Sequence, residues 1–365
     1  MVRVLPSVAA FISFSLLLSP APAMPRETPS PAAAAVLAAE AARAGTSGQL
    51  TLLLESARRG SADVQRLAVR ALGRLERPEL VPNLAPALSA GRAAVRAEAA
   101  HALAQSAGQD QAASRAARAA LSGRLAQEKD TDVRAAICEA LGRLAVENAE
   151  EARVTERVLV EEIVRAVSRK GVEVSPASPL LGVTIGWGGA SRSATFGAVG
   201  ALRGLESLVR LRKKLWAPSP STVELLRGLA ITAVAPGRRL ALLVLNGAGA
   251  ADASTLDGAL RDEEAEIRRL AVAAPAASLQ QLERGLQDAS ALVRYEALRW
   301  YGRRFQASNG CSPILAATRD QSTHVALLAL DLLATACPPG ELAEETLLRA
   351  AETLPAATAA LRLPR

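Results

Sequence analysis

Asp132–Leu144, DVRAAICEALGRL, is the stretch that decides the fold. Val133, Ile137, Leu141 and Leu144 stand at i, i+4, i+8 and i+11, which on a helix places them on one apolar face. A helix this short cannot bury that face alone. Because the pattern returns with variation along most of the chain, the units are expected to bury one another by stacking.

Outward from that stretch, one ruler counts the units. An apolar residue in a short first helix sits eleven positions before the apolar residue that opens a second helix, in Leu53/Val64, Leu84/Val95, Leu256/Ile267, Leu282/Val293 and Ile314/Val325. The closest internal match carries Leu256, Leu260, Asp262, Ile267 and Arg268 onto Leu282, Leu286, Asp288, Val293 and Arg294, each displaced by 26 residues. Asp262, Asp288 and Asp320 lie five residues ahead of their openers and are expected to cap the second helices, since a carboxylate there accepts unpaired backbone N–H groups. Arg96, Arg134, Arg268 and Arg294 follow their openers directly and are expected to reach a loop carboxylate of their own or an adjacent repeat, as exposed pairs worth about 0 to 1 kcal/mol each.

Composition agrees with an all-α chain. Half of the 365 residues are apolar, only nine are aromatic and alanine dominates, so the core is expected to consist of closely packed helices with thin side chains. The net charge of +7 comes almost wholly from arginine, because lysine occurs only at positions 129, 170, 213 and 214 and the arginines are mixed with 36 acidic residues. That mixture describes a solvated surface better than a phosphate-binding track.

At the N-terminus, Arg3, an apolar run through Leu18, and the small-x-small site Ala21-Pro22-Ala23 read as a signal peptide over residues 1–23, with Met24 as the expected mature start. The run is shorter than the roughly 20 residues a membrane span needs, and no second such run follows. Export is therefore expected, to the periplasm or outside the cell, with a retained N-terminal anchor as the competing outcome. Residues 24–31 form a Pro-rich linker. Of three cysteines, Cys138 sits within a repeat helix as a buried thiol, whereas Cys311 and Cys337 bracket one helical hairpin. Antiparallel packing would bring those two to the same end, where a disulfide is expected.

Pro78–Gln105, PELVPNLAPALSAGRAAVRAEAAHALAQ, and Lys129–Leu144, KDTDVRAAICEALGRL, resemble the short HEAT-like repeats also found in phycobilisome lyase proteins, with an armadillo-type fold. The resemblance is strong for 50–145, fair for 254–336 and weak between. It implies an α-solenoid of stacked antiparallel helix pairs, an HEAT-like superhelix that binds other macromolecules along a curved face, and it supplies no catalytic residue. Residues 32–170 would be N-terminal repeats, 171–195 a Gly/Ser/Pro-rich insertion, and 196–365 C-terminal repeats ending in a capping helix from Glu341 to Glu352.

Two stretches depart from the repeat template. Gly186, Gly188 and Gly189 flank Trp187, but no Gly-Lys-Ser/Thr and no strand–helix–strand context follow, so neither a P-loop nor a dinucleotide site is formed. Trp187 remains a candidate partner contact. Arg294–Phe305, RYEALRWYGRRF, holds four of the nine aromatic residues. Val293, Ala297 and Trp300 share the apolar side and Tyr301 borders it, so all four are expected in the core, while Tyr295, Arg299 and Arg303 share another face. There a ring between guanidinium groups would suit an acidic or peptide partner. His101 and His324 have no metal-ligand spacing around them, and no nucleophile motif is present. The sequence thus implies no enzyme, metal or cofactor, but an exported scaffold for a protein partner whose identity it does not name. The rival readings are a substrate-binding arm associated with a cyclophilin-type peptidyl-prolyl isomerase and a nucleic-acid-binding HEAT-like protein.

Overall fold

The computed structural model describes residues 29–168 and 192–353, all of whose regular elements are helices. The expected signal peptide, most of the linker, and the insertion as far as residue 191, Trp187 included, lie outside the described residues. A leading helix, α1 (Pro31–Ala41), is followed by α2 (Ser47–Arg59) and α3 (Ala62–Arg74), which form the first antiparallel pair. The next first helix is broken into 3-10 turns around α4 (Val81–Leu84) and precedes α5 (Ala93–Ala107). Then come α6 (Gln111–Gln127) with α7 (Thr131–Arg143), α8 (Ala149–Ser168) with α9 (Arg192–Arg212), and α10 (Pro220–Thr232) with α11 (Ala235–Ala248). The array continues through α12 (Ala253–Ala259) with α13 (Ala265–Val272) and α14 (Leu279–Leu286) with α15 (Ala291–Arg304). A single turn, α16 (Gln306–Asn309), leads to α17 (Ser312–Ala317) with α18 (Thr323–Thr335), and α19 (Glu341–Thr353) closes the described chain against α18.

The second helices form a continuous row, in which α3, α5, α7, α9, α11, α13, α15 and α18 each pack against the one before. The first helices lie against this row as the other layer, giving an α-solenoid. Every residue of the eleven-position ruler is in the core, from Leu53 and Val64 to Ile314 and Val325. The ruler misses α10/α11 because Gly237 occupies the opener place, eleven residues after the buried Leu226.

Local rules account for the opening stretch. Asp130 caps α7 by accepting the N–H groups of Asp132 and Val133 at 3.0 and 3.1 Å, and Val133, Ile137, Leu141 and Leu144 are all buried. Two boundaries differ from expectation. Pro31, assigned to the linker, is the first residue of α1 behind the Ser30 cap, a position where its missing N–H costs nothing. Residues 192–195, assigned to the insertion, belong to α9, because the continuation of that helix is held between α7 and α8.

The middle of the array is therefore unbroken, and its core joins both halves of the chain. Helices α7 and α9 approach so closely that a Cβ on Gly142 would overlap the backbone of Gly204, and one on Gly200 would lie 2.5 Å from the Ala135 Cα. Small residues at this crossing let the helices of a core with few aromatics pack closely.

Adjacent pairs are tied by a ladder of arginines. Arg96, Arg134, Arg238, Arg268 and Arg294 each use Nη1 to donate to carbonyls of their own interhelix region, at 2.6 to 3.1 Å. Through Nε and Nη2 each grips a carboxylate of the next pair. These are Glu128, Glu162, Asp262, Asp288 and Asp320 respectively, with distances of 2.5 to 3.0 Å. The pairs are not the exposed ones expected from the sequence. Arg134 and Arg294 are 6% and 7% accessible, so each ion pair sits where solvent screens little. Nor do the aspartates cap helices: Asp262, Asp288 and Asp320 accept the N–H two residues on, from Glu264, Ser290 and Ser322, and so brace the loop ahead of the helix.

The ladder has a pH signature. Burial pushes the Glu128 carboxyl up, but the guanidinium of Arg96, the N–H of Asp130 and the guanidinium of Arg124 outweigh it and bring the group down to about 2. Asp320 is held low by Arg294, and Asp288 by Arg268 and the N–H of Ser290 against an opposing burial effect. A carboxylate lowered on folding contributes stability above its unfolded pKa and loses it as pH falls through the folded value. Stability measured by urea unfolding is expected to decline steadily between pH 4.5 and pH 2, with a shallower decline in Glu128→Gln. At neutral pH, Arg268→Ala is expected to cost about 2 to 4 kcal/mol by stranding Asp288, and Gly142→Val should lower the thermal midpoint by forcing α7 from α9.

Candidate partner-binding face

The exposed side of the second-helix row is charged but mostly self-neutralised. Arg70 and Arg74 share Glu40 at 2.9 and 2.7 Å, Arg203 meets Glu139 at 2.8 Å, and Arg239 and Arg269 reach Glu266 and Glu296 at 3.6 Å each. His101 accepts a hydrogen bond at Nδ1 from Arg143, 2.9 Å away, which fits a neutral ring. Burial, aided by the Arg143 charge, holds its pKa below the usual histidine value.

Helix α15 breaks this pattern. Val293, Ala297 and Leu298 enter the core with Tyr301, which is fully buried and donates its hydroxyl to the Gly310 carbonyl at 2.9 Å. Trp300, expected in the core beside Tyr301, is only half-buried. The helix turns by about 100° per residue, and the inter-pair core lies under Tyr301 rather than under Trp300. Trp300 donates its indole N–H to Glu296 at 2.8 Å, and the guanidinium carbons of Arg299, Arg303 and Arg304 stand 5.4, 5.7 and 5.7 Å from its ring centre. Glu296, itself buried, also pairs with Arg269 and Arg299.

The structure thus brings Arg299 and Arg303 together around Trp300 and not around Tyr295. Tyr295 is exposed and lines an open, largely apolar groove of about 390 Å³ with Ala291, Leu292, Ser322 and His324, between α15 and the start of α18. Glu296 and Trp300 are the members that sequence reasoning missed. Their i, i+4 spacing was the available signal, because it sets an acceptor beneath the indole N–H.

Behind this face, Leu298, Tyr301, Ile314, Val325, Ala329 and Leu333 form a small terminal core separate from the main one. The structure joins Cys311 and Cys337 around it, with Cα atoms 6.0 Å apart and 26 positions from one to the other in sequence. Cys138 is buried and free, and burial raises its thiol pKa. Among the described residues no cluster of three His, Cys, Asp or Glu is placed to hold a metal ion, and no helix is long and apolar enough to cross a membrane.

The family model of HEAT repeats matches residues 50–142, from α2 to near the end of α7. That segment is similar to HEAT repeats. It includes most of the Asp132–Leu144 unit, on whose template the later pairs are built. Solved structures with similar chains include an engineered protein, 16% identical over 83% of this chain and 82% of that one, with a TM-score of 0.42. An archaeal HEAT-like repeats protein from Thermococcus onnurineus NA1 is also 16% identical, over 86% and 93%, with a TM-score of 0.31. A chain in a structure of Kap95p with RanGDP is 12% identical over 82% of this chain but only 46% of its own length, at a TM-score of 0.37. No curated protein sequence matches the chain.

Closing a loop of this length stabilises by about 3 kcal/mol in the chain-entropy account. A reductant is therefore expected to expose the terminal pair to protease while fragments ending near Arg304 persist, as intact-mass measurement of the digest would record.

Proposed function

We propose that the chain is an exported, non-catalytic HEAT-repeat scaffold that binds another protein along the exposed side of its second-helix row, with α15 as the principal contact. The observation that carries this reading is the Trp300, Arg299 and Arg303 cluster beside the Tyr295 and Leu292 groove, set on a face whose other charges are largely paired. Aromatic rings and arginines held in place by neighbours lose little freedom on binding, and such residues dominate protein interfaces. Support for export comes from the N-terminal Arg3–Ala23 pattern and from the Cys311–Cys337 pair, since structural disulfides persist in oxidising compartments. A nucleic-acid partner has less support, because a phosphate track needs free cations in succession, whereas glutamates hold most of these arginines.

The test is reciprocal capture from the exported fraction of native cells. Wild-type chain and Ile231→Ser, altered at an exposed residue of α10, are expected to recover the same protein, and that protein, tagged in turn, to recover the chain. Leu292→Ser with Tyr295→Ala should abolish both captures. Equal recovery by the double variant, or a chain found only in the cytoplasmic fraction, would overturn the corresponding half of the proposal.

A further inference from the structure

Two large apolar side chains of α15 face water side by side. Leu292 and Tyr295 are 48% and 36% accessible, and both line the groove of about 390 Å³ whose far wall is Ser322 and His324 of α18. Their i, i+3 spacing sets them on one side of the helix. The groove is open to solvent and largely apolar, so it suits an apolar side chain coming from outside better than a polar one. An incoming side chain of that kind would cover both residues, which the described chain leaves uncovered.

Beyond the groove the charge is one-sided. Arg299 and Arg303 follow Tyr295 at i+4 and i+8, so they stand about 6 and 12 Å further along the same side of α15. Arg303 is exposed and lies over the Trp300 ring, and among the described residues no carboxylate holds it. Arg299 shares buried Glu296 with Arg269 and with the Trp300 indole N–H, while Glu266 is divided between Arg239 and Arg269. Arg304 donates to the carbonyls of Ala274 and Ala277, which carry no net charge. Two carboxylates thus face five guanidinium groups, and the balance stays positive even when the exposed Asp331 of α18 is counted.

We propose that this end of the row recognises an acidic segment of the partner, with one large apolar side chain seated in the α15/α18 groove and Asp or Glu residues laid on Arg299 and Arg303. The 6 to 12 Å from groove to cations is about two to four residues of an extended chain. The apolar residue supplies most of the affinity, because exposed ion pairs contribute little. The carboxylates choose the partner and its direction along α15. This chemistry deepens the scaffold reading and rests on it for the partner being a protein.

The test selects peptides from an unbiased displayed dodecamer library on the immobilised full chain, at about 0.15 M salt, where charges beyond ~8 Å are screened. Selected sequences are expected to carry a large apolar residue with Asp or Glu about two to four places from it. On Arg303→Glu the acidic preference should vanish and the apolar one persist, whereas Leu292→Ser with Tyr295→Ala should erase the apolar preference. The leading peptide, fluorescently labelled, should bind Arg303→Glu roughly tenfold more weakly, since one attraction is replaced by a repulsion. That variant should keep the wild-type thermal midpoint, because Arg303 holds no carboxylate of the chain. Selection without Asp or Glu, or equal binding of the labelled peptide by Arg303→Glu, would overturn the proposal. Displacement of that peptide by an oligodeoxythymidylate at a lower concentration than by unlabelled peptide would assign the face to nucleic acid and overturn it too. Reciprocal capture that depends on α15 while the selected peptides lack acid leaves the scaffold reading standing without this chemistry. Capture that fails while acidic selection holds and is lost in Arg303→Glu leaves the peptide site standing and sinks the scaffold reading.

Discussion

Each ladder arginine has one guanidinium and two obligations, and that constraint holds the pairs in register. Nη1 fixes the carbonyls of its own interhelix region, while Nε and Nη2 fix a carboxylate of the next pair, so a planar group with a single orientation measures the step between pairs. Asp262 and Asp288 serve on both sides. The carboxylate of each receives the arginine before it, and its carbonyl receives the arginine after it. The ladder does not run the whole length of the row. Gln65 stands at the arginine position in α3, and Ala326 in the last pair.

Between rungs, the stack depends on apolar contact between adjacent second helices, and here thin side chains decide. The glycines and alanines of α7 and α9 let two backbones meet, which carries the main core across the part of the sequence where the repeat pattern fades. The terminal pair lacks that continuity. Its separate core is small, and the Cys311–Cys337 bond lies where burial alone has least to offer.

The α-solenoid, the five ruler pairs and the hairpin that brings Cys311 near Cys337 were legible in the sequence because each follows from spacing along a helix. The candidate face was legible only in part. Tyr295, Arg299 and Arg303 do share one side of α15, but the guanidinium groups gather on Trp300, since its indole N–H is anchored on buried Glu296.

By itself, the sequence determined periodic quantities: helix type, apolar faces, the eleven-residue step and the arginine that follows each opener. These depend on backbone geometry and recur wherever the pattern does. Only the tertiary structure decided which carboxylate each arginine holds, that Tyr301 rather than Trp300 fills the core, and that α9 bridges the weak middle. Those outcomes are set between residues 20 to more than 60 positions apart, where the twist of one pair upon the next, and not the local turn of a helix, chooses the partner.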